Sequence, residues 1–155
     1  MTKYLGPYPT VAFSEQVADK AMPPLIGTVS GELTADRYTL PIGMTRTAGH
    51  VSDVAFSLLS CGRVNSNPLN LEVDVLINGT TCLTTKPKIT AVTGAASEHR
   101  TTIASGTGIV EAVVDGAANS FDAGDVITAT LDLTMTDTPT TYMGNFAMIV
   151  ELEPD

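Results

Sequence analysis

The chain has 155 residues with 17 acidic and 8 basic side chains, a net charge of −9, 43% hydrophobic residues and no Trp. That length fits one domain, and the hydrophobic content supports a packed core in place of a disordered polymer. Eight scattered Lys and Arg exclude the basic face of a nucleic-acid binder, and no apolar run approaches the roughly 18 residues that span a bilayer.

Thr occurs 23 times, and β-branched side chains suit pleated surfaces better than helices, so the composition predicts an all-β fold. The N-terminus shows no basic segment followed by an apolar run, which predicts cytoplasmic synthesis without a secretory signal. Cys61 and Cys82 are then expected to remain thiols. Neither nucleic acid nor membrane is expected as a partner.

Residues 1–24 read as an extended N-terminal arm. Gly6, Pro7, Pro9, Pro23 and Pro24 interrupt any period, while Tyr4, Leu5, Tyr8, Val11 and Phe13 supply apolar groups for docking. Ser14 suits the N-cap of one or two helical turns up to Ala21. Two readings stand side by side, a solvated terminus and an arm that orders on a partner.

Residues 25–155 read as a β-sandwich or jelly roll of about eight strands. Thr28 to Leu33 is a weak first candidate; Tyr38, Leu40, Ile42 and Met44 then share one parity, as do Val54, Phe56 and Leu58. Leu71, Val73, Val75 and Ile77 alternate with Glu72, Asp74 and Leu76. Asn78-Gly79 marks a two-residue type I′ hairpin turn, which needs positive φ at both central positions. Counting outward pairs Ile77 with Thr80, Leu76 with Thr81, Val75 with Cys82, Asp74 with Leu83 and Val73 with Thr84. Cys82 is thereby predicted buried, and Leu76 and Leu83 turn outward together, either under a loop or as a candidate subunit contact. Further strands are expected over Thr101 to Ala104, Ile109 to Val114, Val126 to Met135 and the segment carrying Phe146, Met148, Val150 and Leu152. Short strands without helical periods between them predict a sandwich and not a parallel α/β sheet.

No catalytic, cofactor or metal motif stands out. His50 near Ser52 and Asp53, and His99 after Glu98, lack a nucleophile elbow: Gly27-Thr28-Val29-Ser30-Gly31 places its serine one position late. Cys61, Cys82, His50 and His99 lack the close ligand pairs of a zinc site. Asn119, Asp122 and Asp125 offer oxygen ligands of the kind Ca²⁺ takes, but a turn with Gly124 at positive φ and Asp125 bonded to backbone explains them better. Asn78-Gly79-Thr80 matches a glycosylation acceptor, for which the turn is sufficient explanation. The expectation is a non-enzyme with no cofactor and no metal.

The run Leu71-Glu72-Val73-Asp74-Val75-Leu76-Ile77-Asn78-Gly79-Thr80-Thr81-Cys82-Leu83-Thr84-Thr85-Lys86-Pro87-Lys88-Ile89, with Ala123-Gly124-Asp125-Val126-Ile127 later, resembles a pattern in structural proteins of tailed bacteriophages. The resemblance covers about residues 50 to 152 and leaves the arm outside. It implies a β-sandwich virion component, either a capsid decoration (cement) protein or a glycan- or receptor-binding module of a fibre. For a decoration protein it implies the major capsid protein as partner, the capsid outer surface as location and a homotrimer as assembly. The acidic balance agrees with the outside of a shell and not with its DNA-facing interior. The shortage of aromatic residues outside the arm speaks against a glycan platform.

Overall fold

A computed structural model describes residues 22–63, 69–91, 100–103, 106–135, 138–139 and 141–155. The arm residues Tyr4, Leu5, Tyr8, Val11 and Phe13, the Ser14 helical turn and His99 lie outside the described residues. Among those described, all regular structure is strand. The first four elements are β1 (Leu25–Glu32), β2 (Arg37–Met44), β3 (Gly49–Arg63) and β4 (Leu69–Ile77). Short strands follow: β5 (Thr80–Thr81), β6 (Leu83–Thr85), β7 (Lys88–Thr90), β8 (Arg100–Thr101), β9 (Ile109–Val110), β10 (Val113–Val114) and β11 (Ser120–Phe121). The chain closes with β12 (Val126–Met135) and β13 (Thr141–Pro154).

These strands form a β-sandwich. The first sheet has the order β1-β13-β3-β11, with β8 also on β3; the second has the order β2-β12-β4-β7-β9, with β5 also on β4; β6 and β10 form a separate ribbon. All the pairings are antiparallel. The long strands alternate between sheets, and the last two, β12 and β13, enter the middle of each. Both sheets are therefore completed only by the C-terminal part of the chain, a topology of long-range contacts that folds slowly.

One core lies between the sheets. Val73, Val75 and Ile77 of β4 meet Leu131 and Leu133 of β12 and Phe146, Met148 and Val150 of β13, all buried. Phe56 and Phe146 stack at a tilt, with ring centroids 5.5 Å apart. The predicted parities thus select the inner face, with two corrections. Between Ile127 and Thr128 the β2–β12 register shifts by one residue, skipping Ile42. Met44 is turned outward and is 63% exposed, unlike the earlier members of its series. The expected strand Ile109 to Val114 is two: β9 pairs with β7 in the second sheet, while β10 pairs with β6.

The hairpin turn has the predicted geometry, with φ of 49° at Asn78 and 86° at Gly79. Leu76 faces Thr81 and Ile77 faces Thr80, and the Cys82 N–H donates to the Val75 carbonyl at 3.0 Å. There the hairpin ends. Leu83 and Thr85 pair with Val114 and Val113, and the Val73 N–H donates to Pro87. Leaving β4 carries Leu83 into the core at 5% exposure, so it does not stand outward beside Leu76.

Candidate interaction surfaces

The outer face of the first sheet is built from residues that alternate with the core positions of β1, β13 and β3. Ile26, Ile149 and Ala55 form one cross-strand row; Thr28, Ala147, Ser57 and Thr101 form the next. Leu59 extends the face along β3, and Ile103 overhangs it just after β8. Thr102 anchors that overhang, since its N–H donates to the Phe56 carbonyl at 2.9 Å and its hydroxyl accepts from the Phe56 N–H at 2.9 Å. Ile26 is 65%, Leu59 60% and Ile103 72% exposed. Between Ile26 and Ile103 runs a shallow groove of about 180 Å³ whose floor includes Ala55 and Ala147. Ala55 is buried although it lies outside the core cluster. None of these residues is charged. The charges begin one row further along, where Asp53 and Glu151 stand directly opposite each other and exposed.

The outer face of the second sheet has the opposite character. Arg37, Asp132, Glu72 and Lys88 follow one another across β2, β12, β4 and β7, and Arg37 reaches Asp132 at 3.3 Å. The next row centres on Asp74, only 7% exposed. Lys86 holds it at 3.0 Å, and the Thr81 hydroxyl donates to it at 2.5 Å. The hydrogen bond from Lys86 to Asp74, with the surrounding carboxylates, raises the Lys86 pKa above the ordinary Lys value. Burial, reinforced by the Asp74 charge, pushes the Cys82 thiol up to about 12. A thiol held protonated in this way is not a nucleophile at neutral pH. Cys61 is also buried, and neither cysteine is in a disulfide.

At one end of the sandwich a cavity of about 530 Å³ lies among Met22, Leu25, Met44, Arg46, Leu152 and Asp155. Met22, the first described residue, stands at the rim of this cavity. Beside it the turn before β12 is closed on itself. Asn78 Nδ2 donates to Asp125 at 2.7 Å, the Asp122 N–H donates to the other Asp125 oxygen at 2.8 Å, and Gly124 has φ of 96°. These bonds, the Asn78 one foremost, hold the Asp125 carboxyl below its ordinary pKa. Asn119 points elsewhere, donating to the Val51 carbonyl at 2.9 Å. Among the described residues no group of three or more His, Cys, Asp or Glu is arranged to hold a metal. His50 sits 3.5 Å from both Glu153 and Asp155 and does not form a triad with Ser52.

Of the two candidate subunit-contact residues, Leu76 is half-buried on the second sheet and Leu83 is in the core. The exposed apolar surface lies on the other sheet. One signal for it stood in the sequence: from Val54 to Leu59 both parities of β3 are uncharged, which leaves an apolar outer face whichever parity enters the core. No protein-family model matches the chain, and no curated protein matches it.

Proposed function

We propose that this chain is a non-enzymatic virion structural protein, a capsid decoration protein that binds the outer surface of a phage head and stabilises the shell by contact. The observation that carries this reading is the contrast between the sandwich's outer faces, one finished with paired charges and the other uncharged and largely apolar. A domain with that contrast works through contact area, and exposed apolar patches mark interaction sites. The net charge of −9 suits the exterior of a DNA-filled shell. Attachment to the major capsid protein is assigned to residues 1–24, whose Tyr8 and Phe13 serve as aromatic anchors.

The test mixes purified undecorated capsids with the full chain and with a Tyr8→Ala, Phe13→Ala variant, while a glycan array is probed in parallel. The full chain should saturate the capsid. At about 2 kcal/mol for each buried ring, the double variant should bind more than about a hundredfold more weakly. Glycan binding without capsid binding replaces this reading with a fibre module.

A further inference from the structure

We infer that the outer face of the first sheet is a self-association surface, on which a second copy of this chain packs face to face with its strands running in the opposite direction. Charge identifies the occupant. In a chain of net charge −9, copies repel wherever their acidic surfaces meet, and a basic partner is drawn to those same surfaces. The face carrying Ile26, Leu59, Ile103 and Ile149 has no charge to repel a copy and none to attract a basic partner. What complements it is another surface equally uncharged and largely apolar, and a second copy supplies one.

The acidic border fixes the orientation. Two identical faces meet about a two-fold axis lying in the contact plane, either along the strands or across them. An axis along the strands sets the Asp53–Glu151 pair of one copy over the same pair of the other, four carboxylates at one spot. An axis across the strands sets that pair over the Leu59 end of the second copy, about 20 Å from its equivalent, six residues of strand away. The second arrangement keeps the carboxylates apart at opposite rims. A face about four strands wide and 20 Å long, buried on two copies, removes on the order of 1,000 Å² from water. That lies at the low end for specific interfaces, so the dimer forms at micromolar concentrations and is concentration-dependent. An isologous contact of this kind closes at two copies, in contrast to the trimer that the phage resemblance implies. It is independent of capsid attachment through the arm.

Sedimentation velocity of the full chain from about 1 to 300 µM tests the inference. The expected result is a monomer–dimer equilibrium whose Kd rises at least tenfold in an Ile26→Lys, Ile103→Lys variant and is unchanged in Met44→Lys, an exposed position at the end of the sandwich. All three sites are exposed, and unaltered melting at low concentration confirms that the variants fold. Leu59→Lys is the orientation probe. It places an ammonium over Asp53 and Glu151 of the second copy, so the dimer should tighten at low salt and lose that gain at high salt. A monomeric mass at every concentration overturns the inference, as does a Kd indifferent to Ile26→Lys and Ile103→Lys. If the chain is monomeric and those variants instead lose capsid binding, the face belongs to the capsid contact. A dimer weakened by Leu59→Lys overturns the reversed strand direction. Loss of capsid binding in the Tyr8, Phe13 variant leaves all these outcomes untouched, so the two readings fail separately.

Discussion

The two outer faces of this sandwich use the same strand alternation for opposite ends. On the second sheet most outward positions are polar, and several of them find partners within the chain: Arg37 with Asp132, Lys86 and Thr81 with Asp74, Thr90 with Asn70. On the first sheet the same positions hold Ile26, Ala55, Leu59, Ala147 and Ile149, with hydroxyls in the row of Thr28, Ser57 and Thr101 and no charge among them. A polar face is complete when its hydrogen bonds close, whereas an apolar one is completed only by removing water. Of the two faces, the first sheet's is the one on which to seek contact with other molecules, and the second's the one that adds to the domain's own stability.

The core beneath both faces gives the largest expected effect. Phe146 is buried between the sheets and stacks on Phe56; Phe146→Ala should cost about 3 to 5 kcal/mol in urea unfolding, from lost burial and the cavity left behind. Because β13 is an inner strand of its sheet, paired on both sides, that loss should weaken both faces together. A drop below about 1 kcal/mol would mean that the two sheets are stabilised independently of this contact.

Next comes Lys86→Met, which separates the faces. It strips the ion pair from a nearly buried Asp74 and leaves only the Thr81 hydrogen bond. A carboxylate uncompensated at such a site costs 3 kcal/mol or more when fully buried; with the Lys86 side chain 38% exposed, solvent screening reduces the expected loss to about 2 kcal/mol. The pH dependence has a definite sign. Lys86 is more basic in the folded chain than in the unfolded one, so its contribution is complete below its unfolded pKa near 10.5 and is lost as pH rises through the higher folded value. Alkaline unfolding curves should show this decline in the natural chain and a shallower one in Lys86→Met.

Much of the inner face was legible in the sequence because alternation is a local signal. Val73, Val75 and Ile77, and Phe146, Met148 and Val150, needed only their period. Asn78-Gly79 needed only the stereochemistry of a type I′ turn. What was not legible depended on single-residue shifts of register. Between Glu151 and Leu152 the partner positions on β3 jump from Asp53 to Val51, passing over Ser52. Val51 and Val54 consequently both enter the core although they are three residues apart. A similar shift exposes Met44. The position of Leu83 is not legible because a hairpin count assumes that two strands stay together, whereas this chain leaves β4 after Cys82 to pair β6 with β10. Of the exposed face only the uncharged run from Val54 to Leu59 is legible in the sequence, because its other residues, Ile26 and Ile103 among them, come from segments distant along the chain and become one surface only in the folded sheet.

A smaller effect belongs to the turn that ties the end of the second sheet. Asn78 combines a left-handed backbone with a donor to Asp125 and an acceptor for the Val126 N–H at 3.0 Å. Asn78→Ala loses both bonds and puts a less tolerant residue at positive φ, so about 1 to 2 kcal/mol should be lost by denaturant titration. Asn78→Gly restores the backbone but not the bonds and should recover part of that loss. Equal losses for the two variants would assign the whole effect to the side chain.

The smallest expected effect is the most informative about the first sheet. Ile26→Thr combined with Ile103→Thr removes two apolar side chains that are 65% and 72% exposed, so little buried area is lost within one copy. Thr keeps the preference for a pleated strand at position 26. At concentrations where the chain is monomeric, stability should therefore change by no more than about 0.5 kcal/mol. The contrast appears on concentrating the protein. Association stabilises the folded state by mass action, so the natural chain's Tm should climb with concentration while that of the double variant stays level. A flat Tm for both proteins would leave the two outer faces equivalent in solution, and the apolar residues of the first sheet would carry no self-contact at all. A substantial loss of stability in the dilute variant would show instead that Ile26 and Ile103 serve the domain's own packing, by covering Ala55.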